Sequence, residues 1–214
     1  MIPMVDLKRQ YHNLKKEIDA AVGSVLEETR FILGPNVGAL EQEVAAYHNL
    51  PYAVGVANGT DALLLALRAC GIKAGDEVIT TPLTFCATAN AVIHAGGTPV
   101  LADVDPVTMN LDPAAVEKKI TPRTRAILPV HFAGRACDMD RIMALAKEYH
   151  LAVVEDCAHA VETEYKGKKA GTFGDLGCFS FYVTKNVITG EGGMILTDNE
   201  AYARRLKVLA LHGM

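Results

Sequence analysis

No apolar run in the 214-residue sequence is long enough to span a bilayer, and the charged opening MIPMVDLKRQYHNLKKEIDAA has no apolar h-region. Neither a membrane segment nor a secretory leader is expected, and the sequence reads as cytoplasmic. Basic runs are missing too: 21 Lys and Arg stand against 25 Asp and Glu, a formal net charge of −4. That balance leaves no electrostatic footprint for nucleic acid or an anionic membrane surface. Cysteine is sparse, with five residues, an odd number, and no C-x-x-C pair or zinc-like spacing. A disulfide framework and a metal site are therefore not expected, and the thiols read as reduced core residues. Also absent are G-x-G-x-x-G, a Walker A lysine motif, H-E-x-x-H and G-x-S-x-G. Dinucleotide, NTP-hydrolysing, zinc-protease and serine-hydrolase chemistries lose their usual anchors.

What is present is an alternation. Half the residues are apolar and 21% are charged, enough for one large domain with a substantial core. Residues 6–28 place Leu7, Tyr11, Leu14, Ile18 and Val22 at near-helical spacing, which predicts an amphipathic N-terminal helix. YAVGVA then reads as a strand and TDALLLALRAC as a helix; EVITT with FCATANAVIHAG, and RAILPV with MDRIMALAKEYH, repeat the order before the strand LAVVED. Short, continuously apolar strands separated by helices predict an α/β fold, an open, mostly parallel twisted sheet flanked by helices. After LAVVED the rhythm changes: a polar, Gly-rich stretch leads to GCFSFYV and GGMILTD, strands joined by a loop that holds Lys185. NEAYARRLKVLALHGM reads as a closing helix.

Several positions could carry chemistry, and each has a plainer alternative. VANGTDALLLAL ends a strand at Asn58-Gly59 and opens a helix at Thr60-Asp61, where free N–H groups beside a glycine suit a phosphate; a turn with a Thr or Asp N-cap is the alternative. LAVVED ends in Glu155-Asp156 at the carboxyl end of a buried strand, where open α/β sheets bind ligands and where a carboxylate needs a cation or donors. It could equally cap the next helix. His159 follows three residues later, on a side chain type that is often structural. Phe85 lies past another strand end, as a stacking ring or a core residue, and Ser180 offers a phosphate a hydroxyl or faces solvent. Lys185 alone reads as a surface loop residue. Together these parts suit one ligand that is planar, phosphorylated, and carries a basic ring nitrogen and an aldehyde. Pyridoxal 5'-phosphate has those features, and its enzymes pair a Schiff-base lysine with an acid for the ring nitrogen.

The motifs FILGP (31–35), GVANGTDALLLAL, TPLTFCATANAV, VEDCAHA, GTFGDLGCFSFY and TKNVITGEGGM stand in order along nearly all of the chain. In this the sequence resembles the DegT/DnrJ-type sugar aminotransferases, pyridoxal-phosphate enzymes of the aspartate-aminotransferase fold type. The resemblance implies Lys185 as the Schiff-base lysine and Asp156 as the partner of the pyridine nitrogen. It further implies a phosphate held at the helix start by Gly59, Thr60 and Asp61 with help from the Ser180 hydroxyl, and Phe85 and His159 near the ring. Many relatives have Pro where Val183 stands and Gln where His159 stands.

The implied chemistry is a ping-pong transamination from an amino-acid donor, glutamate or glutamine, to a keto sugar attached to a nucleotide. A homodimer with the active site at its interface is implied as well, as is a smaller C-terminal domain that this sequence does not contain, so that residues 1–214 form the large cofactor-binding domain. Alone they are expected to bind the cofactor weakly and turn over poorly. The alternatives are a catalytically silent regulatory or scaffolding relative, and a sugar dehydratase of the same family. In the dehydratase a His replaces the Schiff-base lysine, and Lys185 argues against it.

Overall fold

A computed structural model describes residues 5–214. Among the described residues nine strands run in chain order as β1 (Tyr52–Val56), β2 (Glu77–Thr80), β3 (Thr98–Leu101), β4 (Thr124–Leu128), β5 (Ala152–Asp156), β6 (Glu164–Tyr165), β7 (Lys168–Lys169), β8 (Leu176–Ser180) and β9 (Gly193–Thr197). Between them lie α1 (Leu7–Glu28), α2 (Pro35–Tyr47), α3 (Gly59–Ala69), α4 (Ala87–Ala95), α5 (Pro113–Glu117), α6 (Met139–Tyr149) and α7 (Glu200–Ala210). Seven strands form one sheet in the order β1-β9-β8-β5-β4-β2-β3, and β6 and β7 form a separate small hairpin.

The sheet is mostly parallel, as the strand-helix alternation predicts. From β8 across to β3 every neighbour is parallel, and β9 alone runs against its neighbours β8 and β1. Its strands read as continuous apolar runs because both faces are covered. Successive residues point to opposite faces. Val78, Ala126 and Val154 thus join the core formed with α3, α4 and α7, while Ile79, Ile127 and Val153 pack on the side of α5 and α6. A third cluster, around Phe179, Met194 and Leu196, lies on the face covered by α2. On α6 the buried residues Met139, Ile142, Leu145 and Ala146 recur at helical spacing. Burying each of Met139, Ile142 and Leu145 contributes on the order of 1.5–3 kcal/mol.

Five elements, α2, β3, α5 and the two short strands β6 and β7, have no counterpart in the alternation read from the sequence. β3 is an edge strand with Pro99 in it and no residue fully buried, so it lacks the continuous apolar run that marks its neighbours. The expected strand GCFSFYV ends at Ser180; beyond it Phe181 N–H donates to Gly192 O (2.8 Å) and its C=O accepts from Thr189 N–H (2.9 Å). The N-terminal helix forms where its periodicity places it, with Asp6 as N-cap accepting from Arg9 N–H. None of its residues is buried, however, and Leu7, Tyr11, Leu14, Ile18, Val22 and Leu26 leave an apolar face uncovered by the described residues. All five cysteines are free thiols, with Cys137, Cys157 and Cys178 buried, Cys70 partly buried and Cys86 exposed. Among the described residues no helix is long and apolar enough to cross a membrane.

Candidate active site

Strand register brings the predicted residues to one edge. Val56 at the end of β1 lies opposite Gly193, Gly193 opposite Ser180 at the end of β8, and Cys178 opposite Asp156 at the end of β5. The carboxyl ends of β1, β8 and β5 therefore stand side by side, where ligands of open α/β sheets bind. Because β9 returns antiparallel beside β8, the connection that carries Lys185 opens at the same edge. Gly59, Thr60, Asp61, Phe85, Asp156, His159, Ser180 and Lys185 all line one cavity of about 680 Å³.

On one wall α3 begins. Asn58 caps it, its Oδ1 accepting from Asp61 N–H (2.8 Å) and its Nδ2 donating to Asp61 Oδ2 (3.1 Å). Asp61 thereby braces the cap with both its N–H and its carboxylate. The Gly59 and Thr60 N–H groups of the first turn, which lack partners within the helix, are left open to an acceptor in the cavity they line. A Cβ on Gly59 would stand 2.6 Å from Ser180 Cβ, so only glycine lets the helix start lie against Ser180. A hydroxyl and the positive end of a helix thus converge at one spot.

On the opposite wall Asp156 is 5% exposed. Its backbone is clamped to the extension of β4, with N–H donating to Pro129 O (2.9 Å) and C=O accepting from His131 N–H (3.1 Å). The carboxylate receives two donors: Ala158 N–H at Oδ1 (3.1 Å) and the Thr88 hydroxyl at Oδ2 (2.9 Å). An ionised carboxylate offers about four acceptor positions, so a buried Asp156 retains capacity for a further donor from the cavity.

Lys185 is half-buried in the β8–β9 connection; its N–H donates to Tyr182 O (2.9 Å), and the next residue, Asn186, donates through Nδ2 to Glu162 Oε2 (3.0 Å). Burial holds its ammonium below the usual 10.5, with the Asp156 charge working the other way. His159 is likewise held below the ordinary imidazole value, first by partial burial and then by the Lys185 charge, against the Asp156 carboxylate. Phe85 stands at the rim, 75% exposed, with its ring free to meet a planar group rather than buried in the core.

These features suit pyridoxal phosphate: open N–H groups and a hydroxyl for its phosphate, a partly satisfied buried carboxylate for its ring nitrogen, and a lysine of lowered basicity for its aldehyde. Sequence reasoning passed over Asn58, Thr88 and His131, which also line the cavity. An Asn directly before a helix start was a usable signal for the first. The other two act through partners far away in sequence.

Comparison with known proteins places the chain among sugar aminotransferases. The spore coat polysaccharide biosynthesis protein SpsC of Bacillus subtilis is 53% identical over 200 residues, which cover 94% of this chain and 51% of that protein. The UDP-N-acetyl-3-dehydro-alpha-D-glucosamine 3-aminotransferase of Acidithiobacillus ferrooxidans is 48% identical, over 99% of this chain and 58% of its own length. Among solved structures, DesV of Streptomyces venezuelae in complex with a ketimine intermediate superposes on the whole chain with a TM-score of 0.97 at 45% identity, and 58% of that protein is covered. The chain spans a little over half the length of these relatives. The family model of the DegT/DnrJ/EryC1/StrS aminotransferases matches residues 12–214, and the chain belongs to that family.

Proposed function

We propose that residues 1–214 form the large, cofactor-binding domain of a pyridoxal 5'-phosphate-dependent aminotransferase. The enzyme moves an amino group from an amino acid, glutamate or glutamine, to a keto sugar attached to a nucleotide, in two half-reactions at one site. The observation that carries this reading is the buried, partly satisfied Asp156 carboxylate sharing a cavity with Lys185. Family membership and the sugar-nucleotide substrate in the name of the Acidithiobacillus relative support the substrate class. A homodimer with the site at its interface goes with the same reading.

When bound, the cofactor supplies a covalent link to the amine and an electron sink for the bond broken at its carbon. Gly59 and Thr60 offer N–H groups to the phosphate and Ser180 its hydroxyl, while Asp61 keeps the helix start in shape through Asn58. Asp156 would accept a hydrogen bond from the ring nitrogen, which favours the protonated form of that nitrogen. Lys185 would hold the cofactor through Nζ; when free of it, Nζ is the base placed to take the Cα proton of the amino acid and to return a proton, and it would run the same transfer in reverse with the keto sugar. Its lowered basicity raises the fraction of free amine available for both tasks. Phe85 and His159 line the walls beside the ring.

The test is a panel of 3-keto and 4-keto sugar nucleotides incubated with the full-length protein, pyridoxal phosphate, and glutamate or glutamine. Mass spectrometry reads the amino sugar product. We expect one keto sugar to gain nitrogen from one donor at a rate well above the blank; no transfer to any sugar nucleotide with a cofactor-loaded protein would contradict the substrate class.

A further inference from the structure

The Asp156 carboxylate is held from outside the predicted set. Thr88, in the first turn of α4, is 1% exposed and donates through Oγ1 to Asp156 Oδ2 (2.9 Å). The Thr88 Oγ1 lies 2.8 Å from Thr84 Oγ1. A hydroxyl has one proton, and an ionised carboxylate only accepts. With the Thr88 proton committed to Asp156, Thr84 must donate to Thr88. The proton order is therefore fixed: Thr84 O–H to Thr88 Oγ1, Thr88 O–H to Asp156 Oδ2. Each bond in such a chain polarises the next, and in a buried setting this strengthens the last one.

The chain links distant parts of the fold. Thr84 and Thr88 lie at the entry to α4, beyond β2, and Asp156 ends β5 with β4 between those strands. Main-chain bonds to Pro129 and His131 fix where Asp156 sits. They leave its side chain free to turn, and the two oxygens are then held separately, Oδ1 by Ala158 N–H and Oδ2 by Thr88.

We propose that Thr88 is a positioning residue for the cofactor, with Thr84 as its outer donor: through their hydroxyl chain they keep the Asp156 carboxylate turned so that its remaining acceptor capacity faces the ring nitrogen. The inference rests on the pyridoxal phosphate reading of the cavity. Neither threonine touches the reacting atoms in this account. Thr88→Val has the same shape without the hydroxyl and Thr88→Ser keeps the hydroxyl, so the pair separates the hydrogen bond from the packing.

The experiment uses the full-length protein and three variants, Thr88→Val, Thr88→Ser and Thr84→Val, with thermal melting to establish folding. Equilibrium dialysis reads pyridoxal phosphate affinity, and the ¹⁵N resonance of cofactor labelled at the ring nitrogen reads protonation there. Thr88→Val is expected to weaken affinity about 10-fold and to move the ¹⁵N resonance toward the unprotonated position. Thr88→Ser should stay within about two-fold of wild type, and Thr84→Val should weaken binding about three-fold. A merely structural role would lower the melting temperature without moving the resonance of the cofactor that still binds, and that result would overturn the proposal. If Thr88→Val does not fold, Thr84→Val decides, an unmoved resonance counting against us. Cofactor-free protein supplies an independent reading. There the Asp156 carboxyl ¹³C resonance should shift in Thr88→Val and not in Thr88→Ser, and no shift would overturn the contact itself. A wild-type protein that binds no pyridoxal phosphate would sink the functional reading, and with it the role of Thr88 toward the cofactor, whatever the ¹³C spectrum shows.

Discussion

Glu155 and Asp156 are neighbours on β5, both buried carboxylates, and they point to opposite faces of the sheet. Glu155, 0% exposed, receives four donors: Gly171 N–H and His131 Nε2 on Oε2, Phe173 N–H and Gly174 N–H on Oε1, each at 2.8 Å. His131 Nδ1 accepts from Cys137 N–H (3.1 Å), which leaves the ring proton on Nε2 and aimed at Glu155. Asp156 has two donors and an open cavity before it. The contrast teaches how to sort buried charge. A carboxylate whose acceptor positions are all filled by the fold holds the fold together, and one left partly filled beside a cavity is a candidate to receive a ligand. Burial by itself would push Glu155 up, but the hydrogen bonds from His131 and the Gly174 and Gly171 N–H groups prevail and hold it below the ordinary 4.5.

Substitutions on the ligand side should act on chemistry. Lys185→Ala is expected to remove the absorbance band of the lysine-bound cofactor and to lower turnover by at least about 10⁴-fold, the upper end of what one general base contributes; residual turnover near wild type would break the assignment. Asp156→Asn should retain part of the cofactor binding and lose about 10²–10³-fold in turnover, as when one preorganised electrostatic partner is removed. An unchanged rate would show that the partly filled carboxylate has no electronic role.

On the other face the same kind of change should act on stability. Glu155→Gln puts an amide NH₂ against backbone N–H donors or the His131 N–H, whichever way it turns, and should cost about 3–5 kcal/mol in denaturant unfolding. The pH dependence sharpens the point. Because folding lowers the pKa of Glu155, its stabilisation is fully present above about 4.5 and is lost as pH falls through the lower folded value; the Gln variant should lack that dependence. A variant that unfolds like wild type at pH 7 would erase the distinction between the two carboxylates.

The smallest effect links the two walls of the cavity. Lys185 in cofactor-free protein should react with an acylating reagent as pH rises with a midpoint below 10.5, and Asp156→Asn should lower that midpoint further, since the Asp156 charge is what works against burial. A midpoint that rises in the variant would reverse the sign of the coupling.

How much of this was legible in the sequence depended on range. Continuous apolar strands and helical spacing gave the parallel sheet, and Asp156 stood out because a carboxylate ended such a strand. Lys185 was readable only together with it. The apolar run of β9 reads alike in either direction, and the signal for its antiparallel course lay in the connection from β8, a loop with no crossover helix. Thr88 escaped because its partner is 68 residues away, and a threonine in the first turn of a helix has many ordinary uses. His131 was passed over for the same reason, being 24 residues from Glu155. In α1 the periodicity predicted the helix and its apolar face but carried no information about what covers that face.

Borohydride reduction of the full-length, pyridoxal-phosphate-loaded protein followed by peptide mass spectrometry reads whether Lys185 anchors the cofactor as proposed. A pyridoxyl-phosphate adduct is expected on the peptide containing Lys185 and on no other lysine. An adduct confined to another lysine, or no adduct on a protein that binds the cofactor, would contradict it.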